Sequence, residues 1–434
     1  MTRMKLTLCL LASATLSTFA QTPSVAGHWL ASTDYFGTPL YYRLNLEQTG
    51  DKLTGTYRGY KFEGTINGDN FHLFAKDEQG NTDELTGAVA NGTLQATDTE
   101  TDSDNKAHPV TLKIKATPIA PLAHLTPQRH EFTPTVFYRQ ISTLNKPVLT
   151  INPGDTIHTT TVDAGGTDFN GVKRSLGGNP ETGPFFVTGA MPGDVLVVHI
   201  KKLTLNRDWA ISDDGLDERA MNSDLAVKMK DVGKGIRWHL DRTAGTATPA
   251  DPAEHLKHYT VPLKPMLGCI SAAPGTAQAP PGSGDSGGYG GNMDFNEVGE
   301  GATVYLRVSN PGALLYFGDG HAAQGDGELN GNALETSMDV ELTVDVIPNK
   351  RIGDPRVETA NEIISMGLGG SIDDAFKGAT NDMANWLEED YKLTPSEIAQ
   401  VLGTSAEYHV SEVADRNAGV VLKISKARLA TLTK

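Results

Sequence analysis

The chain has 434 residues, which is long for a single domain and indicates two or three folded units. Its 46 Gly, 23 Pro and only 7% aromatic residues favour short strands and turns, and 38% hydrophobic with 21% charged residues is typical of a soluble globular protein. The formal net charge of −16 at pH 7 argues against polyanionic partners, and against nucleic acid above all.

The first twenty residues have the pattern of a secretory signal peptide. Arg3 and Lys5 form a basic start, an apolar run follows from Leu6 to Leu16, and residues 18–20 provide a small-x-small cleavage site. We therefore expect a periplasmic or secreted protein, with a buried strand or a membrane anchor as the alternative interpretation. No later segment is apolar over the length that a membrane span needs, so no span is expected.

Residues 25–116 form the first predicted unit, an accessory domain. Short alternating segments, from "LYYRLNLEQ" to "VTLKIKA", are separated by brief turns rich in Gly and Asn, and an apolar-x-Gly pattern recurs among them. This predicts antiparallel hairpins closed into a small barrel or a sandwich. The unit has no cluster of catalytic residue types, so a structural role is favoured, and carbohydrate or protein binding stays open.

Residues 130–434 form the second predicted unit. One signature, a Gly-containing turn followed by an apolar run, repeats in "INPGDTIHTTTV", "AMPGDVLVVHI" and "GEGATVYLRVS". Such turns lead a chain into the strands of a β-sandwich. The predicted fold class is therefore mainly β.

The stretch "PPGSGDSGGYGGNMD", residues 280–294, contains two familiar motifs by letter. GDSGG matches the nucleophile loop of chymotrypsin-like serine proteases, but no upstream histidine lies in a recognisable base-bearing segment. G-x-G-x-x-G matches a nucleotide-binding fingerprint, which needs a strand before it and a helix after it, and neither is indicated here. Ser286 is therefore interpreted as a turn residue in a glycine-rich loop.

The densest set of chemically active residue types is "FGDGHAAQGDGE", residues 317–328, which follows the apolar strand "ALLYF". In an extended segment Asp319 and His321 point to one side, and Asp326 and Glu328 do the same. Carboxylates and imidazole are ligands of divalent metals, which can activate water near neutral pH. A polar hairpin turn explains the same residues without a metal, and spacing alone leaves both interpretations open.

Helical signals come late in the chain, at "GSIDDAFKGATNDMANWLEEDY" and "TPSEIAQVLG". We predict two helices near the C-terminus, added to the sandwich. The first carries an apolar stripe at helical spacing, which indicates core packing. Its members are Ile372, Phe376, Ala379, Met383 and Trp386.

Longer blocks of sequence follow one another in a fixed order between about residues 130 and 425. They are "GDTIHTTTVDAGG", "NPETGPFFVTGAMPGDVLVVHI", "GGNMDFNEVGEGATVYLRVSNPGALLYFGDGHAAQGDGE", "ALETSMDVELTVDVI" and "AEYHVSEVADRNAGVVLKISKARL". Together they resemble the bacterial acetamidase/formamidase family. The resemblance implies a β-sandwich core with added helical segments, homo-oligomers, and hydrolysis of short aliphatic amides to a carboxylate and ammonia.

The resemblance also implies roles that spacing alone does not assign. Asp163, in "TVDAGG", matches the family's strand-end aspartate and becomes a further candidate metal ligand. Asn292 and Asp294, in "GGNMD", match a block that would lie against the substrate or orient the ligands. Cys269 stands where the family usually carries an aliphatic residue, which indicates a buried packing role.

A metal-dependent amide hydrolase is the function that these observations predict. The expected ligands of one or two divalent ions, zinc first and calcium second, are Asp163, Asp319, His321 and Glu328. His321 and Glu328 are also the expected catalytic residues, with Glu328 acting either as a ligand or as the base that passes a proton to departing ammonia.

Most members of the family lack both a signal segment and a counterpart of residues 25–116. An exported version could act on a different small amide, and the sequence does not name the substrate. The alternative from another class is a non-catalytic periplasmic binding protein for a small ligand or a glycan. The carboxylates kept in residues 317–328 favour the hydrolase.

Overall fold

The computed structural model describes residues 24–35, 37–123, 125–276 and 279–433. The predicted signal segment lies outside these residues. Within them the chain divides into two compact units: residues 24–29 with Leu44–Pro118, and Leu30–Arg43 with residues 119–433. In the described part of the chain, no helix is both long and apolar enough to cross a membrane.

The first unit is built on a closed barrel of eight strands, paired in chain order. The strands are β1 (Gly27–Tyr35), β2 (Thr38–Thr49), β3 (Lys52–Tyr57), β4 (Tyr60–Asn67), β5 (Asn70–Lys76), β6 (Thr82–Ala90), β7 (Thr93–Thr101) and β8 (Val110–Pro118). Burial alternates along them, as in β5, where Phe71, Leu73 and Ala75 are buried and their neighbours are exposed. Of the two architectures predicted for this unit, the barrel is the one confirmed.

The recurrent glycines of the barrel mark places where neighbouring backbones nearly touch. A Cβ on Gly64 would lie 1.9 Å from the carbonyl oxygen of His72, and one on Gly55 would lie 2.2 Å from that of Asn45. No side chain fits at such distances. The apolar-x-Gly pattern of the sequence therefore reflects close approach of adjacent strands.

Strands dominate the second unit as well, and its helices are few. The strands are β9 (Arg129–Glu131), β10 (Leu149–Ile151), β11 (Thr156–Thr160), β12 (Thr182–Val187), β13 (Val195–Leu205), β14 (Trp209–Asp213), β15 (Gly235–Asp241), β16 (Thr246–Pro249), β17 (Val261–Pro262), β18 (Met266–Ala272), β19 (Ser286–Gly287), β20 (Gly290–Asn292), β21 (Thr303–Arg307), β22 (Leu315–His321), β23 (Glu335–Thr336), β24 (Met338–Ile347), β25 (Arg356–Glu358), β26 (Glu362–Gly369), β27 (Glu407–Glu412) and β28 (Ala418–Ser425). The helices are α1 (Ser223–Lys228), α2 (Ile372–Tyr391), α3 (Pro395–Ser405) and α4 (Lys426–Leu429), with short 3-10 turns at Glu218–Ala220 and Glu254–Leu256.

Two sheets make up this second unit. The larger runs β17-β16-β15-β14-β23-β22-β18-β20-β19, with β12 beside β22 and β10 beside β12, and the smaller runs β27-β28-β26-β25-β21-β13-β24-β11-β9. Both sheets contribute to one hydrophobic core, in which Leu196 and Val198 of β13 are buried together with Leu267 of β18. Phe185 and Phe317 stack within it, with ring centroids 5.5 Å apart. The predicted β-sandwich is confirmed.

Both C-terminal helices form where the sequence predicts them. The hydroxyl of Ser371 caps the N-terminus of α2, and Thr394 and Glu397 form a capping box on α3. The stripe predicted for α2 is buried only in its later part, because Ile372 is 49% and Phe376 43% exposed. In the first turn Ala375 is buried, and the later turns bury Ala379, Met383 and Trp386 of the stripe.

Candidate active site

Strand β22 carries the two residues around which the site is built. The strand continues past the apolar "ALLYF" segment to include both Asp319 and His321, and it pairs with β18 on one side and β23 on the other. Asp319 has a φ of +53°, in the left-handed region. Gly268 of β18 faces it, and a Cβ there would lie 2.6 Å from Asp319 Oδ2 and 2.3 Å from Asp294 Oδ1. The absence of a side chain at Gly268 therefore makes room for two carboxylates.

Three carboxylates converge on one nitrogen of His321. Its Nε2 lies 3.1 Å from Glu335 Oε1, 3.5 Å from Asp319 Oδ1 and 3.8 Å from Asp294 Oδ1. Glu328 is close to the same point, since Asp294, His321 and Glu328 form one group able to hold a metal ion and Asp319, His321 and Glu335 form a second. The two groups share His321, so they describe one centre with five possible ligands.

A pair of asparagines holds the outer oxygens of this centre. Asn179 Nδ2 donates to Asp319 Oδ2 at 3.1 Å and to Asn292 Oδ1 at 3.0 Å. Asn292 Nδ2 in turn donates to Asp294 Oδ2 at 2.6 Å and to the carboxylate of Asp415. Because the Oδ2 atoms of both aspartates are engaged in this way, their Oδ1 atoms are the ones presented to His321.

The tautomer of His321 follows from its other neighbour, Gln324. The Nε2 of Gln324 lies 3.1 Å from the carbonyl oxygen of Ser411, which can only accept, so the amide nitrogen must be the donor. Gln324 Oε1, 2.9 Å from His321 Nδ1, is then an acceptor, and Nδ1 carries the proton. The lone pair of a neutral His321 consequently lies on Nε2, facing the carboxylates.

Backbone strain is concentrated at this centre. Asp294, Asp319 and Glu328 have φ values of +39°, +53° and +44°, which residues with a Cβ adopt rarely. Such conformations cost free energy and persist where the surrounding structure imposes them, often at functional sites.

At this centre the acidic groups outnumber the basic groups. In the described residues, the only ion-pair partner within 4.0 Å of its four carboxylates is His321. Burial, followed by repulsion from neighbouring carboxylates, raises the pKa of Asp294 well above its usual range, and burial is the largest cause that raises the pKa of Glu328 to about 7 and of Glu335 to about 8. Burial alone would lower the pKa of His321, but the carboxylates of Glu335 and Asp319 raise it well above its usual value.

Several buried atoms of the centre have no hydrogen-bond partner in the described residues. They are Asp294 Oδ1, Asp319 Oδ1, His321 Nε2 and Glu335 Oε2. Oxygen and imidazole nitrogen atoms left in this state are costly unless a cation compensates them. Their number, type and convergence fit one divalent ion with nitrogen and oxygen ligands.

Asp163 lies apart from these groups. Its carboxylate binds Arg207 Nη2 at 2.7 Å and accepts from the backbone N–H of Thr167 at 2.8 Å. Arg207 also donates to the carbonyl oxygen of Glu335 at 3.2 Å. Instead of joining the converging atoms, Asp163 therefore supports the backbone of a residue that does.

The other two acidic residues of the predicted loop, Glu328 and Asp326, lie in different surroundings. Glu328 Oε1 accepts from the N–H of Ala333 at 2.9 Å, which orients its carboxylate. Asp326 points elsewhere: its side chain is half exposed and binds His409 Nδ1 at 2.8 Å. The expectation that Asp326 and Glu328 share one side is wrong, because the loop turns between them at Gly327, where φ is +86°.

The glycine-rich stretch forms a hairpin instead of an open loop. Ser286 in β19 pairs with Gly291 in β20, and its buried Oγ has no hydrogen-bond partner among the described residues. This leaves no Ser-His pair of the protease type. Cys269, opposite Asn292 in the sheet, is buried as predicted, and burial raises the pKa of its thiol well above the usual value.

Four contributors to the site are missed by sequence reasoning, namely Asn179, Glu181, Glu335 and Asp415. All four lie within blocks that carry the family resemblance, but no spacing connects them to His321, because the fold brings them from three separate segments: residues 179–181, Glu335 and Asp415. Glu181 is fully buried, and neither of its carboxylate oxygens has a hydrogen-bond partner within the described ranges. Burial, followed by the charge of Asp319, raises its pKa well above the usual range. A Cβ on Gly318 would lie 2.6 Å from its Oε2.

The chain is similar in sequence and in structure to known proteins. Residues 272–366 match the model of the acetamidase/formamidase family. A protein of Schizosaccharomyces pombe that carries a provisional formamidase name is 27% identical over 217 residues, which is 39% of this chain and 52% of the relative. The chain thus spans about half the length of the curated relative that it matches.

Solved structures cover more of the chain. An acetamidase from Yersinia enterocolitica aligns with a TM-score of 0.61 and 28% identity over 71% of this chain and 94% of its own. A predicted acetamidase/formamidase from Thermoanaerobacter tengcongensis gives 0.60 and 28% over 70% and 98%. An acetamidase from Bacillus halodurans gives 0.58 and 26% over 70% and 100%. The family model, the curated relative and these structures together support placing the chain with the acetamidase/formamidase family.

Proposed function

We propose that this protein hydrolyses short aliphatic amides, such as formamide and acetamide, to a carboxylate and ammonia. The observation that carries the proposal is the buried centre in which His321 Nε2 and the free Oδ1 atoms of Asp294 and Asp319 face one point without partners. The similarity to acetamidases at 26% to 28% identity over about 70% of the chain supports the reaction type.

A divalent metal ion, zinc first and calcium second, is part of the proposal. The residues that would hold it are His321, Asp294, Asp319 and Glu335, with Glu328 as a further ligand or as the base. Such an ion polarises a carbonyl group and lowers the pKa of water, so that water becomes a nucleophile near neutral pH. Asp163, which the sequence suggested as a ligand, is replaced in this assignment by Glu335 and Asp294.

The chain's own groups then have distinct tasks. Glu328, oriented by Ala333 N–H, is placed to take a proton from water and to pass it to the departing amine. Asn292 is occupied on both sides of its amide group, so its task is to orient Asp294 and Asp415, with substrate contact left to the carboxylates. His321 is held in one tautomer by Gln324.

Ammonia release from acetamide and formamide, measured beside the metal content of the purified protein, tests the proposal. His321→Ala and Glu335→Gln should each lower both the bound metal and the rate by at least about a hundredfold, since each removes a ligand. Asp326→Asn, a change of the same kind in the same loop but outside the centre, should leave both unchanged.

Full activity of His321→Ala with undiminished metal would refute the site assignment. A wild-type protein that holds no metal and releases no ammonia would instead support the non-catalytic binding protein. Export to the periplasm or the medium and assembly into a homo-oligomer remain predictions, which cell fractionation and light scattering of the purified protein would test.

A further inference from the structure

The mouth of the eight-stranded barrel contains a cavity that amide hydrolysis does not use. Its volume is about 400 Å³, and it opens at the end of the barrel where the β3–β4, β5–β6 and β7–β8 connections lie. Five successive strands contribute to its lining, through residues that include Tyr60, Ala75, Asp83, Glu100 and Val110. Barrel mouths are common sites for small ligands.

The floor of this cavity is acidic and poorly compensated. Asp83 is 6% and the adjoining Asp98 only 1% exposed. Asp83 Oδ1 and both carboxylate oxygens of Asp98 have no hydrogen-bond partner in the described residues. Arg58 is paired with the group, since its Nη1 lies 3.5 Å from Asp98 Oδ2 and bonds the carboxylate of Glu100. One guanidinium therefore faces three carboxyl groups.

The wall of the cavity is apolar. Tyr60 is 41% and Val110 46% exposed, although both lie on strands whose alternating residues point into the barrel. A carboxylate at the bottom and exposed apolar surface at the rim suit a ligand with one positive end and one hydrocarbon end.

We propose that the mouth of the barrel binds a primary ammonium ion that carries a short apolar chain. The ammonium group has three donors for the carboxylates of Asp83 and Glu100, which line the cavity, and its chain would lie against Tyr60 and Val110. A metal ion fits less well, since in the described part of the barrel no three Asp, Glu, His or Cys ligand atoms lie within 4.8 Å of one another.

When no cation is bound, the carboxyl group of Asp83 keeps its proton. Burial, followed by the neighbouring Asp98, raises the pKa of Asp83 to about 8, so its carboxyl group is mainly protonated at pH 7. The other titratable groups at the cavity or beside Asp83 are Arg58, Tyr60, Asp77, Asp98, Glu100, Asp102 and His108. Binding of an ammonium ion should therefore release a proton, and the affinity should increase as the pH rises from 7 to 9.

Calorimetric titration of the full chain with n-hexylamine, a cation at these pH values, tests the proposal. Binding should be detected for n-hexylamine and not for hexanoate or hexanol, which share its chain. Asp83→Asn should weaken it about tenfold or more and abolish its pH dependence. Glu84→Gln removes the same charge from the next residue of β6, which points outward to His72, and should change the affinity less than twofold.

The proposal fails if wild-type protein gives no heat with n-hexylamine, if hexanoate binds equally well, or if Glu84→Gln weakens binding as much as Asp83→Asn. Should Asp83→Asn not fold, Glu100→Gln provides the second test at the same mouth, with the same loss expected. Acetamide hydrolysis by Asp83→Asn should equal that of the wild type, because the barrel and the amidase centre belong to different units.

Discussion

At the scale of single residues, neighbouring side chains fix the orientation of the groups that converge at the centre. His321 has its Nδ1 proton directed at Gln324 Oε1, and the aspartates have their Oδ2 atoms held by Asn179 and Asn292. In His321, Asp294 and Asp319, the atom that faces the common point is thus the second atom of a group whose first atom is already engaged, whereas the carboxylate of Glu335 has no such support among the described residues. None of these supporting groups needs to contact substrate.

Removing the acceptor of Gln324 tests this argument. Gln324→Met keeps the length of the side chain but leaves His321 Nδ1 without its partner, so the tautomer with Nε2 free is no longer favoured. We expect metal affinity to fall about ten- to a hundredfold, measured by competition with a chromophoric chelator. Gln400→Met, the same change on the exposed face of α3, should have no effect. Equal affinities for the two variants would contradict the argument.

A second prediction at this scale concerns Gly268. A methyl group there would overlap Asp294 Oδ1 and Asp319 Oδ2, neither of which can withdraw because Asn179 and Asn292 hold their carboxylates. Gly268→Ala should lower amidase activity by more than about tenfold and destabilise the fold by about 1–3 kcal/mol. Gly284→Ala meets nothing within 4 Å and should be neutral in both measurements. An active Gly268→Ala would show that the carboxylates can move.

At the scale of elements, α2 is fixed to the sheet by a buried ion pair. Arg356 of β25 bonds Asp382 with Nε at 2.6 Å from Oδ2, and both side chains are almost fully buried. Asp382→Ala would remove the closer carboxylate and leave Nη1 of the buried guanidinium 3.7 Å from Glu389 Oε2, so urea unfolding should show a loss of about 3–5 kcal/mol. Asp373→Ala breaks the exposed pair with Lys377 on the same helix and should change nothing measurable. Similar losses in both variants would contradict this distinction.

The stability of the barrel should depend on pH. The folded pKa of Asp83 is about 8 and the unfolded value about 3.9, so the folded state holds more protons between these limits and stability falls as pH rises. From pH 6 to pH 8 the loss should be roughly 2 kcal/mol in urea unfolding of the wild type. Asp83→Asn should remove most of this slope, while Glu84→Gln keeps it. A wild-type stability that rises over this range would overturn the assignment.

At the scale of the whole molecule, local sequence patterns predict the fold better than the site. Alternation and turns indicate the barrel strands, and Thr394 with Glu397 marks the start of α3, because these features depend on neighbouring residues. Glu335 and Asn179 could not be identified in this way, since long-range strand pairing brings them to His321. The exposure of Phe376 in the α2 stripe was not predicted for a related reason, since its neighbour Tyr408, stacked on it with ring centroids 4.3 Å apart, is distant in sequence.

The centre joins segments that are distant in sequence, and metal removal should therefore weaken the whole second unit. An ion held by Asp294, His321 and Glu328 would connect the segment after β20 with β22 and the loop that follows it. One held by Asp319, His321 and Glu335 would connect β22 with β23, and either ion would compensate carboxylates that otherwise repel one another. Exhaustive chelation should lower the apparent stability by about 3–4 kcal/mol if the free ion is present near a thousand times its dissociation constant. Restoring zinc should recover both the melting temperature and ammonia release, whereas Glu335→Gln should respond weakly to either treatment. A melting temperature that chelation leaves unchanged in a wild-type protein shown to have lost its metal would mean that the ion does not hold these segments together.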